Sequence, residues 1–456
     1  MIRDIRIVKT LRKDDNLTGV ESSAIIPVII NSFAEYSLAE KNQRMRILLI
    51  HQYFMRDINV PGGTRWNAMA KVWTQQKHQL TVLASMYNVY LEAKYPGYEG
   101  KLLKHETSGD GLDVIWVHTS AKYNRNFLWR AWAYFTFVFF GFLGILLFAR
   151  GSYDLVLATS PPITVGPLGV LASIIKRCPF VFEVRDLWTE STVDVGVVTN
   201  PLLIKLMRFM EKFSYRKAHM INVLTPSFRE KLIKNEGILP DKIWVIPNGA
   251  DLDITKSGPI DEIIRARHGW GDKFVGLYMG SHGRVYCLWQ LIEAAKILKD
   301  EREFLIACVG GGMDRKALIE KAKDEGLTNI QFLPSVPKKE TAAYFRACNV
   351  SLIVLKKAEV CKTIYPNKMF DSMSTAKPII LAINGVARKL VVDDAKCGVY
   401  VEPENAKEIA AMMQFYRKSP EIARKHGENG YRYVCEHYDR RKLALEYIQL
   451  IQDRFH

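Results

Sequence analysis

The chain has 456 residues, with 64 basic and 48 acidic side chains and a formal net charge of +16. Its 48% hydrophobic and 25% charged content is ordinary for a globular protein of two or three domains, and the positive charge predicts a polyanionic partner: nucleic acid, an anionic membrane surface or a phosphorylated substrate. No nucleic-acid motif accompanies that charge. The seven cysteines form no Cys-x-x-Cys pair, which argues against a zinc site or a disulfide framework and favours a reducing compartment.

The first 44 residues differ from those that follow. They are polar and charged to about Glu21 and then apolar from Ala24 to Ile30, without the sustained apolar core and cleavage site of a secretory signal. A strand-like run follows Met45, so we predict that the first domain begins there. Residues 1–44 are then an extension of unknown role or an artefact of the assigned start.

Between residues 45 and 249, short apolar runs alternate with segments of helix length, which predicts a parallel sheet covered by helices. The runs are 46–54, 80–84, 114–117, 155–158, 180–184 and 221–224. After the first run, Gly62 and Gly63 precede a helical pattern from Trp66 to Trp73. This glycine pair either lets the backbone approach a ligand on the acceptor side or forms a tight turn.

One segment interrupts the alternation, because residues 131–149 carry no charge and reach the length of a membrane span. A single crossing would put the two halves of one sheet on opposite sides of a bilayer, so we predict in-plane or re-entrant membrane contact over residues 126–150. Tryptophans suit the interface, and flanking cations suit anionic head groups. These cations are Lys122, Arg125, Arg130 and Arg150. The alternative is a fully buried core helix.

A turn-rich stretch after Pro247-Asn248-Gly249 marks the predicted domain boundary. A second alternating series follows, which predicts a second α/β domain over 258–429 and a C-terminal helix over 430–456. Its strand-like runs are 274–279, 304–309, 330–333, 350–355, 378–383 and 399–401. Two facing domains imply a cleft, with ligands beyond the carboxyl ends of the strands.

Two glycine-rich turns follow strands of this second domain. Gly280-Ser281-His282-Gly283-Arg284 precedes a helical run, so that Gly283 can admit a phosphate close to the backbone and Arg284 can bind it. Gly310-Gly311-Gly312 follows the next strand, where Gly311 lies against a nucleotide base or forms a plain turn.

The segment 363–378 brings Lys368 and Asp371 to the start of a short helix, where free N–H groups favour anions. An anionic sugar nucleotide suits this place, with its phosphates on Lys368 and its ribose hydroxyls on Asp371. Together with Arg284, Lys368 can neutralise a departing diphosphate. The alternative is a pair of solvated charges near a helix end.

Charged residues also end the run 180–184. Asp186 can orient or deprotonate an acceptor hydroxyl, or it can form a buried ion pair with Arg185. His118, also at a strand end, is either a histidine of the cleft or a structural one. Asp251-Leu252-Asp253 matches the sequence pattern of a metal-binding Asp-x-Asp motif. It lies in the linker, so we do not assign a metal to it.

Five of these motifs occur in the order seen in family 4 glycosyltransferases, which the chain resembles from about Met45 to its end. They are Pro61-Gly62-Gly63, Glu183-Val184-Arg185-Asp186-Leu187-Trp188, Pro247-Asn248-Gly249, Gly280-Ser281-His282-Gly283-Arg284 and Pro366-Asn367-Lys368-Met369-Phe370-Asp371. The chain looks closest to the branch that builds O-antigen and capsular polysaccharide, including fucosamine transferases. The resemblance implies the GT-B fold, in which two Rossmann-like domains face each other and a C-terminal helix crosses back. It also implies a nucleotide-sugar donor in the second domain, retention of anomeric configuration and no required metal or other cofactor.

The resemblance assigns the donor diphosphate to Arg284 and Lys368. The paired glutamates of the family fall on Thr363 and Asp371, so that Asp371 keeps a carboxylate for ribose, whereas Thr363 replaces the group that contacts the sugar. Three further departures from the family pattern are Thr189 for proline, Cys287 for glycine and Ala376 for glycine.

We therefore expect a retaining glycosyltransferase that moves a hexosyl or N-acetylhexosaminyl group from a nucleotide diphosphate to a lipid-linked, polyprenyl-diphosphate saccharide. The apolar segment and the positive charge predict a peripheral or monotopic protein on the cytoplasmic face of the inner (plasma) membrane, with the anionic membrane surface as a partner. Two alternatives remain open: a non-hydrolysing nucleotide-sugar epimerase and a non-catalytic scaffold of a polysaccharide assembly complex.

Overall fold

A computed structural model describes residues 44–55, 64–89, 91–122, 127–194, 196, 198–255 and 257–455. The chain divides into two units, Met1–Arg44 and Met45–His456. Apart from Arg44, the described residues belong to the second unit. The predicted extension over 1–43 and the acceptor-side glycines Gly62 and Gly63 lie outside the described residues.

The first domain is built on an eight-stranded sheet and a small hairpin. Its strands are β1 (Arg46–Ile50), β2 (Gln79–Ser85), β3 (Tyr87–Asn88), β4 (Ala93–Lys94), β5 (Leu103–Thr107), β6 (Leu112–Val117), β7 (Leu155–Ser160), β8 (Phe180–Val184), β9 (Met220–Val223) and β10 (Ile243–Val245). The sheet order is β10-β9-β8-β7-β1-β2-β6-β5, and β3 pairs with β4 apart from it. All pairs in the sheet are parallel except β5 with β6.

Helices cover both faces of this sheet. They are α1 (Arg65–Gln75), α2 (Phe127–Phe148), α3 (Val165–Lys176), α4 (Trp188–Asp194), α5 (Pro201–Lys217) and α6 (Pro226–Glu236). Alternate side chains of β1 point to opposite faces. Ile47 and Leu49 join the core under α1, whereas Leu48 and Ile50 join the core under α2 and α3. This two-sided burial is the reason why the strands appear in the sequence as continuous apolar runs.

The second domain repeats the pattern around a six-stranded, fully parallel sheet. Its strands are β11 (Phe274–Met279), β12 (Phe304–Val309), β13 (Ile330–Leu333), β14 (Val350–Val354), β15 (Ile379–Ala382) and β16 (Gly398–Tyr400), in the order β13-β12-β11-β14-β15-β16. The helices up to the last strand are α7 (Glu262–His268), α8 (Trp289–Ile297), α9 (Arg315–Asp324), α10 (Thr341–Ala347), α11 (Asn367–Ser374) and α12 (Val386–Arg388), which continues into a π-helix, Lys389–Asp394. Three helices follow it: α13 (Ala406–Lys418), α14 (Pro420–His437) and α15 (Arg440–Phe455).

The predicted C-terminal helix over 430–456 is wrong in its bounds, because the chain forms two helices that break at Tyr438 and Asp439. The break is fixed by the linker between the domains: the Ala250 N–H donates to the Tyr438 carbonyl at 2.9 Å, and the Arg440 N–H donates to the Ala250 carbonyl at 3.0 Å. The predicted return crossing is present. On α15, Leu443, Ala444 and Tyr447 pack into the core of the first domain.

The apolar segment forms α2, which packs on one face of the first sheet. Gly141 and Gly144 let it approach closely, since a Cβ on either would meet Leu83 or Ile115 at about 3 Å. One face of α2 is buried, including Ala133, Phe137 and Ile145. The opposite face is exposed along its length, so the alternative of a fully buried core helix is wrong.

Candidate functional site

The predicted donor motifs meet where the strand order of the second sheet changes direction. β11 lies beside both β12 and β14, and its carboxyl end carries Gly280 to Arg284, while the loop after β14 leads to α11 with Lys368 and Asp371. In open parallel sheets this switch point is where ligands bind. The fold therefore brings together Gly283, Arg284, Lys368 and Asp371, which lie up to 88 residues apart in the chain.

The two glycine turns interlock at this point. The His282 N–H donates to the Gly311 carbonyl at 2.7 Å. Gly310 and Gly312 have φ near +150°, and a Cβ on Gly310 would stand 1.8 Å from the Gly280 carbonyl oxygen. Only glycine permits this contact, so Gly311 is held at the edge of the site by steric necessity.

The side chain of Lys368 ends in a buried Nζ atom in this site. Its Nζ lies 3.8 Å from the ring centre of Tyr278 and 4.4 Å from that of Tyr286. Among the described residues Nζ has no hydrogen-bond partner. Burial lowers the pKa of Lys368 well below its usual value. A buried ammonium without an anion is unfavourable, so the site is prepared for an anionic group that the described residues do not supply.

A histidine and an arginine also belong to this site. His282 is buried with both ring nitrogens unbonded among the described residues, and burial together with Arg315 and Lys368 lowers its pKa to about 4. Arg284, in the turn after Gly283, is exposed and makes no ion pair with a described carboxylate. Its side chain is available to a ligand at the mouth of the site.

Asp371 and Thr363, the two positions of the paired glutamates, differ in their surroundings. Asp371 is mostly buried, and both of its carboxylate oxygens accept hydrogen bonds from Lys338 Nζ, at 2.7 and 2.8 Å. Thr363 donates its hydroxyl to the Val360 carbonyl at 2.7 Å. The Thr363 carbonyl accepts from the Thr225 hydroxyl of the first domain at 2.7 Å. Thr363 therefore joins the carboxyl edges of the two sheets, with its side chain turned to its own loop.

On the first domain, Asp186 follows β8 and accepts a hydrogen bond from the Ser191 hydroxyl at 2.7 Å. Burial raises the pKa of Asp186, while Ser191 and Arg185 oppose that rise. His51, which we did not predict, directly follows β1 and is buried, with a pKa lowered by burial and by the charge of Arg185. Its position directly after an apolar strand, as for Asp186, was the available signal.

His118 lies apart from this group. It follows β6, four strands from β8, which at about 4.8 Å per strand is roughly 19 Å along the sheet edge. Its ring meets Phe140 of α2 edge-on at 5.3 Å, and burial and Lys94 lower its pKa. The structure thus places His118 four strands from Arg185 and Asp186 and two strands from His51.

Glu183, inside the same charged motif, serves the structure. It is completely buried and accepts hydrogen bonds from Arg65, Trp66, Thr159 and Asn222 at 2.9–3.0 Å. Burial alone would raise the pKa of Glu183, but Arg65, Arg185 and these donors lower it. Arg65 also donates to the Pro247 and Ile246 carbonyls, so this network holds the linker between the domains.

Two family models match the chain. One, described as a glycosyl transferase 4-like domain, covers residues 62–249, and the other, described as glycosyl transferases group 1, covers residues 260–433. The chain belongs to the family 4 glycosyltransferases. Its two Rossmann-like domains and returning helix are the GT-B fold that the resemblance implied.

This glycosyltransferase also has similar relatives of known name and structure. It is 20% identical over 284 residues to WcaI of Escherichia coli K12, named as a colanic acid biosynthesis glycosyl transferase, covering 60% of this chain and 69% of WcaI. Sucrose-phosphate synthase of Thermosynechococcus elongatus matches with a TM-score of 0.70 and 17% identity, over 90% of this chain and 99% of that one. Anabaena HepE, solved with UDP-glucose, matches with a TM-score of 0.68 and 16% identity, over 90% and 100%. These structural matches establish the fold.

Proposed function

We propose that this glycosyltransferase moves a sugar, with retention, from a nucleotide-diphosphate donor to a polyprenyl-diphosphate-linked saccharide in the synthesis of cell-surface polysaccharide. The observation that carries the donor assignment is Lys368, a buried ammonium beside interlocked glycine turns with no anion supplied by a described residue. The WcaI and HepE names support a polysaccharide product and a UDP-sugar as donor.

In this proposal the donor diphosphate lies between Lys368 and Arg284, and the ribose hydroxyls bind Asp371. The bond between the sugar C1 and the diphosphate oxygen breaks with its electron pair on the diphosphate, whose new charge the two cations stabilise. The acceptor oxygen forms the new bond to C1 and gives its proton to Asp186, whose raised pKa suits a base. Arg185 and His51 line the acceptor side. No metal or other cofactor takes part in this scheme.

We also propose that the protein lies on the cytoplasmic face of the inner membrane and touches anionic lipid. The support is a face of α2, α3 and α5 with eleven exposed large apolar side chains, which we call the apolar face. They are Leu128, Trp132, Phe135, Phe139, Leu146, Leu147, Leu171, Ile174, Leu202, Leu206 and Phe209. The same three helices carry seven basic residues and one acidic residue, a balance that favours anionic head groups. One described helix, Leu128–Phe148, is long and apolar enough to cross a membrane.

The experiment that tests the donor proposal is thermal unfolding with UDP, ADP and GDP and with their sugars. A ligand that binds only the native state raises its stability by RT ln(1 + [L]/Kd), about 2.7 kcal/mol at one hundred times Kd. Transfer to lipid-linked saccharides is then measured with the donors that bind, and the anomer of the product is read by NMR. Sugar isomerised without an acceptor, or no binding by any nucleotide, would contradict the proposal.

A further inference from the structure

Asp371 is held by a lysine from a distant part of the chain. Lys338 begins a 3-10 turn, Lys338–Glu340, after β13, whereas Asp371 lies in α11, 33 residues later. Nζ of Lys338 bonds both carboxylate oxygens, at 2.7 and 2.8 Å, and the two side chains are 13% and 11% exposed. This ion pair joins two separate elements of the second domain, and both of its side chains are nearly buried.

The pair borders the glycine turns of the donor site. Ser335, three residues before Lys338, places its Oγ 3.3 Å from where a Cβ on Gly311 would stand. From the other side, the charge of Arg440 acts on Asp371. The Lys338–Asp371 pair therefore lies at the ligand edge of the sheet, three residues along α11 from Lys368.

Hydrogen-bond capacity determines what this pair can still bind. An ammonium group has three N–H donors, and a carboxylate has two oxygens with about four acceptor sites. Lys338 occupies one site on each oxygen, and no other described side chain bonds this carboxylate, so each oxygen keeps one site for a ligand. Two neighbouring hydroxyls, as in the 2′,3′-diol of ribose, match the two free sites, provided that the carboxylate does not rotate.

We propose that Lys338 is a positioning residue that fixes the Asp371 carboxylate for a ribose diol and so makes the protein select ribonucleotides over 2′-deoxyribonucleotides. This inference rests on the proposed donor function. A 2′-deoxy nucleotide leaves one acceptor site of a nearly buried carboxylate unpaired, which costs a charged hydrogen bond. Without Lys338 the carboxylate can turn to bind a single hydroxyl, and the selectivity falls.

The test measures the Kd of UDP and of 2′-deoxy-UDP by titration calorimetry, with the ADP and GDP pairs if UDP does not bind. The wild type should bind the ribonucleotide about tenfold more tightly than its 2′-deoxy form, the size of one charged hydrogen bond. Lys338→Met, which keeps the length of the side chain, should bring that ratio below about threefold, and Lys338→Arg should restore it. Lys339→Met is the matched control, since Lys339 is the exposed neighbour and should leave the ratio unchanged.

The outcomes separate the two proposals. Lys338→Met can instead weaken the binding of the ribonucleotide and of its 2′-deoxy form by the same factor, in a protein whose wild type binds a nucleoside diphosphate. In that case Lys338 is only structural and the inference is wrong. An equal or better affinity for 2′-deoxy nucleotides in the wild type overturns it as well. If no nucleoside diphosphate binds the wild type, the proposed donor function itself fails, together with this inference.

Discussion

Ala376 and Cys287 have left-handed backbone angles, with φ of +54° and +47°. Both stand where the family has glycine, so the fold has kept a conformation that their side chains disfavour by about 1–2 kcal/mol. We expect Ala376→Gly to raise the free energy of unfolding by about 0.5–1 kcal/mol, after allowance for the larger entropy of unfolded glycine. Urea denaturation measures this. Ala411→Gly, at an exposed position inside α13, should instead lower stability, and a loss at Ala376 would show that the left-handed angle carries little strain.

The buried ammonium group of Lys368 destabilises the folded protein when no anion is bound to it. Lys368→Met should stabilise the free protein by on the order of 1–3 kcal/mol, because an apolar group replaces a buried ammonium without a hydrogen bond, and it should abolish stabilisation by nucleotides. Thermal unfolding with and without nucleotide measures both effects. Lys377→Met is the control, since Lys377 donates to the Arg346 carbonyl at 3.0 Å and its loss should destabilise.

The same lysine predicts two pH dependences. Because burial lowers its pKa, the unfolded chain holds more protons than the free folded protein between that lowered pKa and about 10.4, so stability rises with pH in this window. Nucleotide diphosphate requires the ammonium, so affinity falls as pH rises through the lowered pKa. Titrations across this range should show both trends in the wild type and neither in Lys368→Met.

At the scale of elements, α2 has two apolar faces, one buried on the sheet and one exposed. Its buried face covers the first sheet, and its exposed residues recur at Leu128, Trp132, Phe135 and Phe139, a spacing of four and three that keeps them on one side. Replacing Trp132, Phe135 and Phe139 by glutamine should abolish binding to phosphatidylglycerol vesicles while the protein stays folded, since these side chains are about half exposed. Cosedimentation measures binding, and circular dichroism confirms folding.

A matched triple variant controls for the loss of surface apolarity. Ile260, Ile263 and Ile297 of the second domain are 46–73% exposed and lie outside the apolar face. Their replacement by glutamine should leave vesicle binding intact. Equal binding by the α2 variant and the wild type would mean that the apolar face does not meet lipid.

Strands were predictable from the sequence where both of their faces are buried. The runs 274–279 and 304–309 agree with β11 and β12 residue for residue. β5 was missed because it reads Leu-Lys-His-Glu-Thr at a half-exposed edge, and β10 because it has three residues. The length of α2 was predictable from its apolar segment. Which of its faces is buried was not, because both faces are apolar.

The donor site was predictable where glycines and cations follow strands, as at Gly283, Arg284 and Lys368. The role of Lys338 was not predictable, because it meets Asp371 only through the packing of a 3-10 turn against α11. In the charged motif at the end of β8, the sequence did not show that Glu183 is enclosed in the interior and that Asp186 lies at the carboxyl edge of the sheet. One residue of register in a strand decides which side chain is enclosed.

In the whole molecule, the chain passes twice between the domains, and the two crossings are bonded to each other. Gly249 lies where they touch: a Cβ there would stand 2.3 Å from the Tyr438 carbonyl oxygen and 2.9 Å from Leu443. Arg440 donates to the Gly249 carbonyl at 2.6 Å and to the Thr64 hydroxyl at 3.0 Å. The junction is therefore a packed unit rather than a loose linker.

Gly249→Ala should destabilise the protein by about 1–3 kcal/mol, since the added methyl group forces the crossings apart. Hydrogen exchange should rise at the Ala250 and Arg440 amides, whose bonds join them. Gly258→Ala is the control, because its Cβ meets only the flexible Arg346 side chain, at 3.2 Å. Unchanged exchange at both amides would mean that the methyl group is accommodated without forcing the crossings apart.

The returning helix α15 also sets an order of events during synthesis. Trp66 and Trp73 of the first domain pack on Tyr447, and Trp73 donates to the Ala444 carbonyl at 2.7 Å. These partners are made about 200 residues after the first domain ends, which is roughly 10–40 s at elongation rates of about 5–20 residues per second. For that time α1 lacks its packing partner α15, while the apolar face on α2, α3 and α5 is already complete. If the apolar face binds lipid, as we propose, a nascent chain can bind the membrane before α15 completes the first domain.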